Sequence, residues 1–255
     1  MTKYQIEAGT GQHIGDRKEQ QDRVMLLAAP KAPGYMLAVL ADGMGGSSGG
    51  AMAAEQIIHS AKQLFDEFSP LTHTVESLLE AIVMESHTII KLIGMTASNK
   101  PHTTMVAMVL TPDRNAVWAH AGDSRLYRFE GPNFREHTID HSHVETLVAK
   151  GEITREEAKK HRLSNLLVNG LGGRQDPYIT IGHHHNLKVG DAFLLCSDGL
   201  WSYFSDAELA PLVAMNTPRD AAEAIIAKAR ERANGHGDNC SLAIVKLVAL
   251  NKTSI

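Results

Sequence analysis

The chain has 255 residues and a formal net charge of -4, with 43% hydrophobic and 21% charged residues. These proportions are typical of globular proteins and exclude wholesale disorder and collagen-like repeats. The balanced charge, with no polybasic run, argues against a nucleic-acid-binding protein.

Short apolar runs rich in β-branched and aromatic residues, bounded by turn residues, predict seven strands. In chain order they cover residues 24–27, 35–41, 103–110, 116–121, 125–129, 192–196 and 240–248. The runs 103–110 and 240–248 alternate partly between apolar and polar residues. We therefore expect their sheets to be covered on at least one face.

Helical spacing of apolar residues predicts two long helices, over residues 51–68 and 75–93. A third helix is predicted to start at Thr217, because Pro218 suits the first helical position and Asp220 the first turn. It runs through residues 221–233, and Gly235 lies just past its end.

These elements do not alternate strictly between strand and helix, which argues against a doubly wound parallel sheet. They favour mostly antiparallel sheets with helices packed outside. Segment 140–176 is polar and precedes a glycine turn, so it is either a lid or a surface helix pair with no gating role. The triplet of His183, His184 and His185 is expected to lie in a polar loop.

Four motifs place an aspartate beside glycine or another small residue at the end of an apolar strand. They hold Asp42 (ADGMGG), Asp123 (AGDSR), Asp198 (CSDGL) and Asp238 (GHGDN). A single Asp-Gly pair is usually a turn, but converging carboxylates repel each other unless a cation compensates. Oxygen ligands select Mg²⁺ or Mn²⁺ over Zn²⁺. A further carboxylate, Asp22, precedes the strand 24–27.

The residues present, and their spacing, exclude other hydrolase mechanisms. A cysteine phosphatase needs an arginine six positions after its cysteine. The two cysteines here, Cys196 and Cys240, have Ser202 and Lys246 at those positions. There is also no P-loop motif and no H-E-x-x-H motif. The cysteines are expected to be small buried core residues.

Together, ADGMGG, AGDSR, LCSDGLW and GDNCSLAIV resemble the metal-dependent serine/threonine protein phosphatases (the PPM family, protein phosphatase type 2C) in their compact bacterial form. The resemblance runs from about residue 13 to 248. It implies an α+β fold, a β-sandwich of two mostly antiparallel sheets flanked by helices on both sides (four-layer αββα). It also implies a single catalytic domain over residues 1–255, with a flap at about 140–176.

The resemblance implies a centre of two Mn²⁺ or Mg²⁺ ions. Asp22, Asp42, Asp198 and Asp238 would supply carboxylates and Gly43 a backbone carbonyl. A water bridging the two metals would then be the nucleophile, so no protein nucleophile is needed.

Further positions carry over with the motifs. Arg17, five residues before Asp22, matches the family's phosphate-binding arginine. Without the motif, it would be interpreted as an ordinary solvated arginine. Asp123 matches a ligand of a third ion, shared with Asp198, and Asn165 could add to that site. The other reading of Asp123 is a turn residue capped with Ser124. Trp201 is expected to pack under the site.

The sequence departs from the family pattern at three places. Gln21 stands where many eukaryotic members have glutamate, and Met44 where they have the histidine proposed as general acid. A metal-bound water would then protonate the leaving group. Residues 101–104 (PHTT) replace the usual Gly-Thr-Thr, which we interpret as a local turn change without effect on activity.

The implied function is hydrolysis of phosphoserine and phosphothreonine on proteins, opposing a bacterial-type kinase. The alternatives are a catalytically dead binding module on the same fold and a hydrolase of small phosphoesters. No signal peptide or membrane-length apolar run is present in the sequence. We therefore expect a cytoplasmic monomer whose partners are phosphorylated proteins and a kinase or its targets, with no nucleic acid and no membrane.

Overall fold

The chain is described by a computed structural model that covers residues 4–45, 48–96 and 100–250. The last glycine of ADGMGG, Gly46, lies outside the described residues. None of the helices within these ranges is long and apolar enough to cross a membrane.

Two antiparallel sheets stack face to face. The first has the strand order β1 (Tyr4–His13), β11 (Cys240–Ala249), β10 (Asp191–Cys196), β7 (Arg125–Glu130) and β8 (Asn133–His137). The second has the order β2 (Asp22–Ala28), β3 (Met36–Met44), β5 (Met105–Leu110), β6 (Ala116–Ala121) and β9 (Thr180–His184). The short strand β4 (His102–Thr103) pairs with the end of β3.

Helices cover both outer faces. Helices α1 (Gly49–Glu67) and α2 (Val75–Thr96) pack on the second sheet. Helices α5 (Asp198–Trp201), α6 (Asp206–Met215) and α7 (Pro218–Ala233) pack on the first. The flap carries α3 (His143–Ala149) and α4 (Arg155–Ala158).

The side-chain alternation of β3 explains the layers. Val39 and Ala41 face α1 and α2, whereas Ala38 and Leu40 face Phe193 and the other sheet. Because successive strand residues point to opposite faces, a strand buried on both sides reads as one continuous apolar run. The predicted four-layer αββα fold is confirmed.

The third helix begins as predicted. The Thr217 hydroxyl accepts a hydrogen bond from the Asp220 amide at 3.2 Å, and Pro218 occupies the first turn. Asn234 follows the helix in the left-handed conformation with φ 48°. The two cysteines lie buried on the neighbouring strands β10 and β11, as predicted.

Some boundaries differ from the prediction. Strand β3 extends through Asp42 to Met44, so Asp42 lies within the strand and not in a turn after it. The run predicted at 103–110 is broken at Thr104 into β4 and β5. His183 and His184 belong to the edge strand β9 and not to a loop, because they pair with Val117 and Ala116 of β6.

Candidate active site

A cleft of about 640 Å³ opens where the two sheets meet at one edge of the sandwich. It is reached by Asp42 near the end of β3, Asp198 just after β10 and Asp238 just before β11. Every predicted site residue except Asp22 lines it. The lining comprises Asp16, Arg17, Lys18, Glu19, Gln21, Asp42, Gly43, Met44, Gly45, Asp123, Asn165, Leu167, Asp198, Asp238 and Asn239.

Asp22 lies beneath the cleft and is fully buried. It stands directly opposite Asp42 in the β2–β3 ladder. Its Oδ2 accepts a hydrogen bond from the Ser197 hydroxyl at 2.7 Å. Its Oδ1 is also buried but has no partner among the described residues. Burial raises the pKa of the Asp22 carboxyl to about 7, so in this setting the charged form is costly.

The backbone of Asp42 is held on both sides. Its amide donates to the Thr104 hydroxyl at 3.2 Å. Its carbonyl accepts from the Thr104 amide and the Thr103 hydroxyl, both at 2.9 Å. The threonines of the PHTT segment therefore fix the position of Asp42. Burial, followed by the charge of Asp22, raises the pKa of the Asp42 carboxyl well above its usual range.

Gly43 lies where strand β3 meets the first turn of α1. A Cβ at this position would stand 2.0 Å from the carbonyl oxygen of Gly50. Any side chain would therefore push the helix away from the strand. The Gly43 amide donates to the carbonyl of Gln21 at 3.2 Å, which joins the strand to the segment before β2.

Asp198 and Asp238 both line the cleft. Burial, followed by the charge of Asp238, raises the pKa of Asp198, which also shares a hydrogen bond with Asp42. Asp238 is paired with the guanidinium of Arg17. Arg17 is 61% exposed, so it lies at the rim of the cleft and not in its floor.

The segment that carries Arg17 is anchored by two residues that the sequence analysis missed. Asn239 donates to the carbonyls of Ile14 at 2.8 Å and Glu19 at 3.0 Å. Asp16 binds both terminal nitrogens of Arg230, each at 2.8 Å. The only available signal was the asparagine after Asp238 in GDN, where an amide can bond several backbone groups at once.

Asp123 lies at the far side of the cleft with 9% of its surface exposed. Burial, followed by the charge of Asp198, raises the pKa of its carboxyl to about 8. The Trp201 indole donates to the Asp123 carbonyl at 3.0 Å, so this tryptophan supports the loop from below. The Ser124 hydroxyl bonds Thr104 at 2.6 Å.

The flap contributes Asn165 and Leu167 to the lining. The side chain of Asn165 accepts a hydrogen bond from the Ser164 hydroxyl at 3.1 Å. This places the predicted extra residue at the cleft wall. The structure therefore brings the flap and the aspartates to one cavity, although they are far apart in sequence.

The cleft concentrates negative charge, with six carboxylates in its lining from Asp16, Glu19, Asp42, Asp123, Asp198 and Asp238. In the described part of the chain, no three His, Cys, Asp or Glu side chains are already arranged to hold a metal ion. The raised pKa values of Asp22, Asp42, Asp123 and Asp198 all have burial as their first cause and a neighbouring carboxylate among the others. Such a cluster of oxygens attracts hard cations.

A family profile and several known proteins match most of the chain. The profile of the family described as Protein phosphatase 2C matches residues 9–230. The chain is 29% identical over 217 residues to the protein phosphatase PhpP of Streptococcus pneumoniae, covering 84% of this chain and 87% of that protein. It is 30% identical over 225 residues to the serine/threonine phosphatase stp of Listeria innocua, covering 85% and 86%.

Solved structures agree with the fold. The serine/threonine phosphatase of S. agalactiae superposes with a TM-score of 0.86 at 29% identity, covering 95% of this chain and 99% of that chain. The catalytic domain of PstP, solved in complex with two manganese ions, superposes with a TM-score of 0.77 at 27% identity, covering 95% and 98%.

Proposed function

Since this chain belongs to the protein phosphatase 2C family and is a serine/threonine protein phosphatase, we propose that its cleft works through two Mn²⁺ or Mg²⁺ ions. The observation that carries this proposal is the cluster of Asp22, Asp42 and Asp198, fully buried at Asp22 and partly exposed to the cleft at the other two, whose carboxyl pKa values are all raised. Folding places these like charges together at a cost that a bound cation would remove.

The donor set fits such ions. The groups are carboxylate oxygens from Asp22, Asp42, Asp198 and Asp238, with the carbonyl of Gly43. The buried and unpartnered Oδ1 of Asp22 supports a positively charged neighbour on that side. Bound there, divalent cations would activate a water as nucleophile and neutralise the phosphoryl oxygens. Because the side chains are not yet arranged around one point, we expect Asp42, Asp198 and Asp238 to reorient on loading.

Asp22 and Asp42 have different parts in this proposal. The Thr103 and Thr104 bonds fix the Asp42 backbone, so its carboxylate is held toward the cleft at a set depth. Asp22 lies below it and holds the Ser197 hydroxyl, next to Asp198. Asp22 therefore positions the floor as well as adding charge to it.

Arg17 is proposed to hold the phosphate. In the structure its guanidinium neutralises Asp238. When Asp238 holds a divalent cation, Arg17 would lose this partner, and its guanidinium would be free to hold the phosphoryl oxygens. Its planar fork matches two oxygens of a phosphate. Met44 has no proton to donate, so leaving-group protonation is not assigned to that side chain.

Asp123 is proposed to bind a third ion together with Asp198, and Asn165 lies at the same wall. Segment 140–176 would act as the flap of a single catalytic domain over residues 1–255, since it supplies Asn165 and Leu167 to the cleft. The substrates would be phosphoproteins, and the partner a Ser/Thr kinase or its targets. All the aspartates whose loss would mark a catalytically dead module are present.

The test is metal dependence with a matched variant. Hydrolysis of p-nitrophenyl phosphate and of a phosphothreonine peptide should vanish with EDTA and return with Mn²⁺ or Mg²⁺. Asp198→Asn should abolish most of the activity while the protein stays folded. Asp206→Asn, which removes a carboxylate at the start of α6, should not. Full activity in EDTA would contradict the metal centre.

A further inference from the structure

The flap begins at two consecutive residues, Asp140 and His141, that both bind the loop carrying Asp123. His141 makes two hydrogen bonds with Gly122. Its amide donates to the Gly122 carbonyl at 3.0 Å, and its Nδ1 accepts from the Gly122 amide at 3.2 Å. Gly122 has φ +115°, and a Cβ there would stand 2.6 Å from the Thr104 side chain. The loop therefore has little room to shift without breaking the contact with His141.

Asp140 grips the other side of the same loop. Arg125 donates to both oxygens of the Asp140 carboxylate at 2.8 Å, a bidentate pair in a setting that is largely buried. The Arg125 guanidinium lies 3.6 Å over the ring of Trp201, and that indole bonds the Asp123 carbonyl. Asp123 is thus held between Gly122 and Arg125, and both are held by the base of the flap.

His141 also binds the far end of the flap. Its carbonyl accepts from the Val168 amide at 2.9 Å, and its Nδ1 accepts from the Asn169 side chain at 2.7 Å. Its Nε2 lies 3.0 Å from the Thr180 hydroxyl. An Nδ1 that accepts two hydrogen bonds fixes the neutral ring with its proton on Nε2. Burial, followed by the neighbouring His120, lowers the pKa of His141 to about 3, which is consistent with a neutral ring.

We propose that Asp140 and His141 are positioning residues that couple the flap to Asp123. Both ends of the flap meet at this pair, as do Gly122 and Arg125 on either side of Asp123. A cation at Asp123 therefore stabilises the seated flap, and the seated flap strengthens cation binding by the same factor. The inference rests on the proposed function, because it assigns a cation to Asp123.

The experiment compares two replacements of His141. His141→Phe keeps a ring between His120 and Tyr178, whose centroids both lie 4.4 Å from that of His141, but it loses both ring nitrogens. His141→Asn places an amide oxygen near the position of Nδ1 and keeps the acceptor. The control is Arg128→Gln, on the same strand β7 as Arg125, which breaks an ion pair with Glu136 of the neighbouring strand β8.

Two readouts are needed. Hydrogen exchange of the metal-free protein should be faster over residues 122–125 and 142–168 in His141→Phe, and partly restored over 122–125 in His141→Asn. Calorimetric Mn²⁺ titration should show the weakest site about tenfold weaker in His141→Phe, within the usual range of coupling factors. The accompanying loss of phosphatase activity should be recovered by excess Mn²⁺, and the control should behave as wild type.

The following results would contradict either the coupling between the flap and Asp123 or the metal centre itself. Unchanged Mn²⁺ affinity in a folded His141→Phe, or equal damage in Phe and Asn that excess Mn²⁺ does not repair, would make this a purely structural contact. If His141→Phe fails to fold, Asp140→Asn is measured in the same way, and an unchanged weakest site overturns the proposal. Absence of any Mn²⁺ dependence in the wild type would instead contradict the metal centre.

Discussion

The floor of the cleft and the flap above it are built on opposite principles. The floor holds Asp22 in full burial and Asp42 and Asp198 partly exposed to the cleft, and burial together with neighbouring carboxylates raises the pKa of all three carboxyls. The flap helices are held together by exposed local contacts, such as Arg155 with Glu145 at 3.2 Å. The floor carries charge repulsion among its carboxylates but is held in place by the sheets. The flap carries no comparable repulsion, but it is held in place only weakly.

This difference has an energetic meaning. Strand pairing and the threonine contacts of Asp42 hold the floor in place against its own charge repulsion. Exposed ion pairs contribute only about 0.2–1 kcal/mol each, so the flap depends on its base. Regions with few buried contacts open first in a native protein. We therefore expect substitutions in the floor to alter chemistry and substitutions in the flap to alter local order.

The largest expected effect comes from removing one floor charge. Asp42→Asn should lower kcat by at least about a thousandfold, because metal stabilisation of the transition state is worth several kcal/mol. The same variant relieves repulsion, so its thermal midpoint in EDTA should equal or exceed that of wild type. Steady-state kinetics with Mn²⁺ and calorimetry in EDTA measure the two effects. A large drop in the midpoint would contradict the view that the floor is strained.

A control for Asp42→Asn is available on the surface of α1. Asp66 is paired with Lys62 and is 37% exposed. Asp66→Asn removes the same charge from the protein without touching the floor, and should change neither kcat nor the thermal midpoint appreciably.

The next effect separates the rim from the floor. Arg17→Ala should cost roughly 10- to 200-fold in kcat/KM, since a charge-assisted bidentate contact contributes about 1.5–3 kcal/mol. Arg17→Lys should recover part of this loss because it keeps the charge and loses the fork. Kinetics on a phosphothreonine peptide at saturating Mn²⁺ compare the three proteins. Wild-type kcat/KM in Arg17→Ala would make Arg17 an ordinary solvated side chain.

The two regions also differ in what the sequence could predict. Apolar periodicity and Asp-Gly pairs are local signals, and they predicted the long helices, antiparallel sheets with helices outside and the aspartate motifs. The four-layer arrangement was implied by the family resemblance. The N-terminal strand β1 was missed because Tyr4–His13 contains polar residues and two glycines and pairs only with the last strand, β11. Strand β9 was missed because its histidines made this edge strand resemble a polar loop.

The support of the site was equally hidden. Nothing local in the sequence shows that Asn239 holds the Arg17 segment or that Thr103 and Thr104 hold Asp42. These contacts join residues that are separated by 60 or more positions, 61 in the case of Thr103 and Asp42. The contacts of Asp140 and His141 span 15 to 39 positions, and a sequence reading places these two residues only at the start of a polar segment. Long-range hydrogen bonds leave no periodic pattern, so only the fold reveals them.

A third prediction uses the pH dependence of stability to measure the cost of placing the carboxylates together in the floor. The folded pKa values of Asp22, about 7, and Asp123, about 8, exceed the ordinary value of 3.8. At these two carboxyls the folded protein holds protons that the unfolded chain has lost, so their contribution to stability falls as pH rises from about 4 to 8. Below about pH 6.5 the lowered pKa values of His120 and His141 act in the opposite direction, so the net fall in stability is expected between about pH 6.5 and 8. In EDTA the thermal midpoint should drop by several degrees, at about 2–4 °C per kcal/mol.

Two comparisons make the pH measurement specific. Asp123→Asn removes one of the raised groups, so its midpoint should decline less steeply toward pH 8 than that of wild type. Added Mn²⁺ should raise the midpoint more at about pH 8 than at about pH 5.5, because the carboxylates must be ionised to bind it. A midpoint in EDTA that rises across this window would contradict the raised pKa values.

The smallest expected effect lies in the flap. Thr154 caps α4 by a reciprocal pair of bonds with Glu157. The Glu157 amide donates to the Thr154 hydroxyl at 3.2 Å, and the Thr154 amide donates to the Glu157 carboxylate at 2.8 Å. Thr154→Ala should remove about 1 kcal/mol of helix stability. We expect the flap to open separately from the core, so this loss should appear as faster hydrogen exchange over residues 155–160. The thermal midpoint of the whole domain and kcat on p-nitrophenyl phosphate should stay near wild type.

Ser205→Ala is the matched comparison, because Ser205 makes the same kind of pair with Glu208 at the start of α6, which packs against the first sheet. There the equivalent loss should lower the thermal midpoint. If the two variants lower the midpoint equally, the flap is part of the core's cooperative unit, and the contrast between a fixed floor and a weakly fixed flap fails.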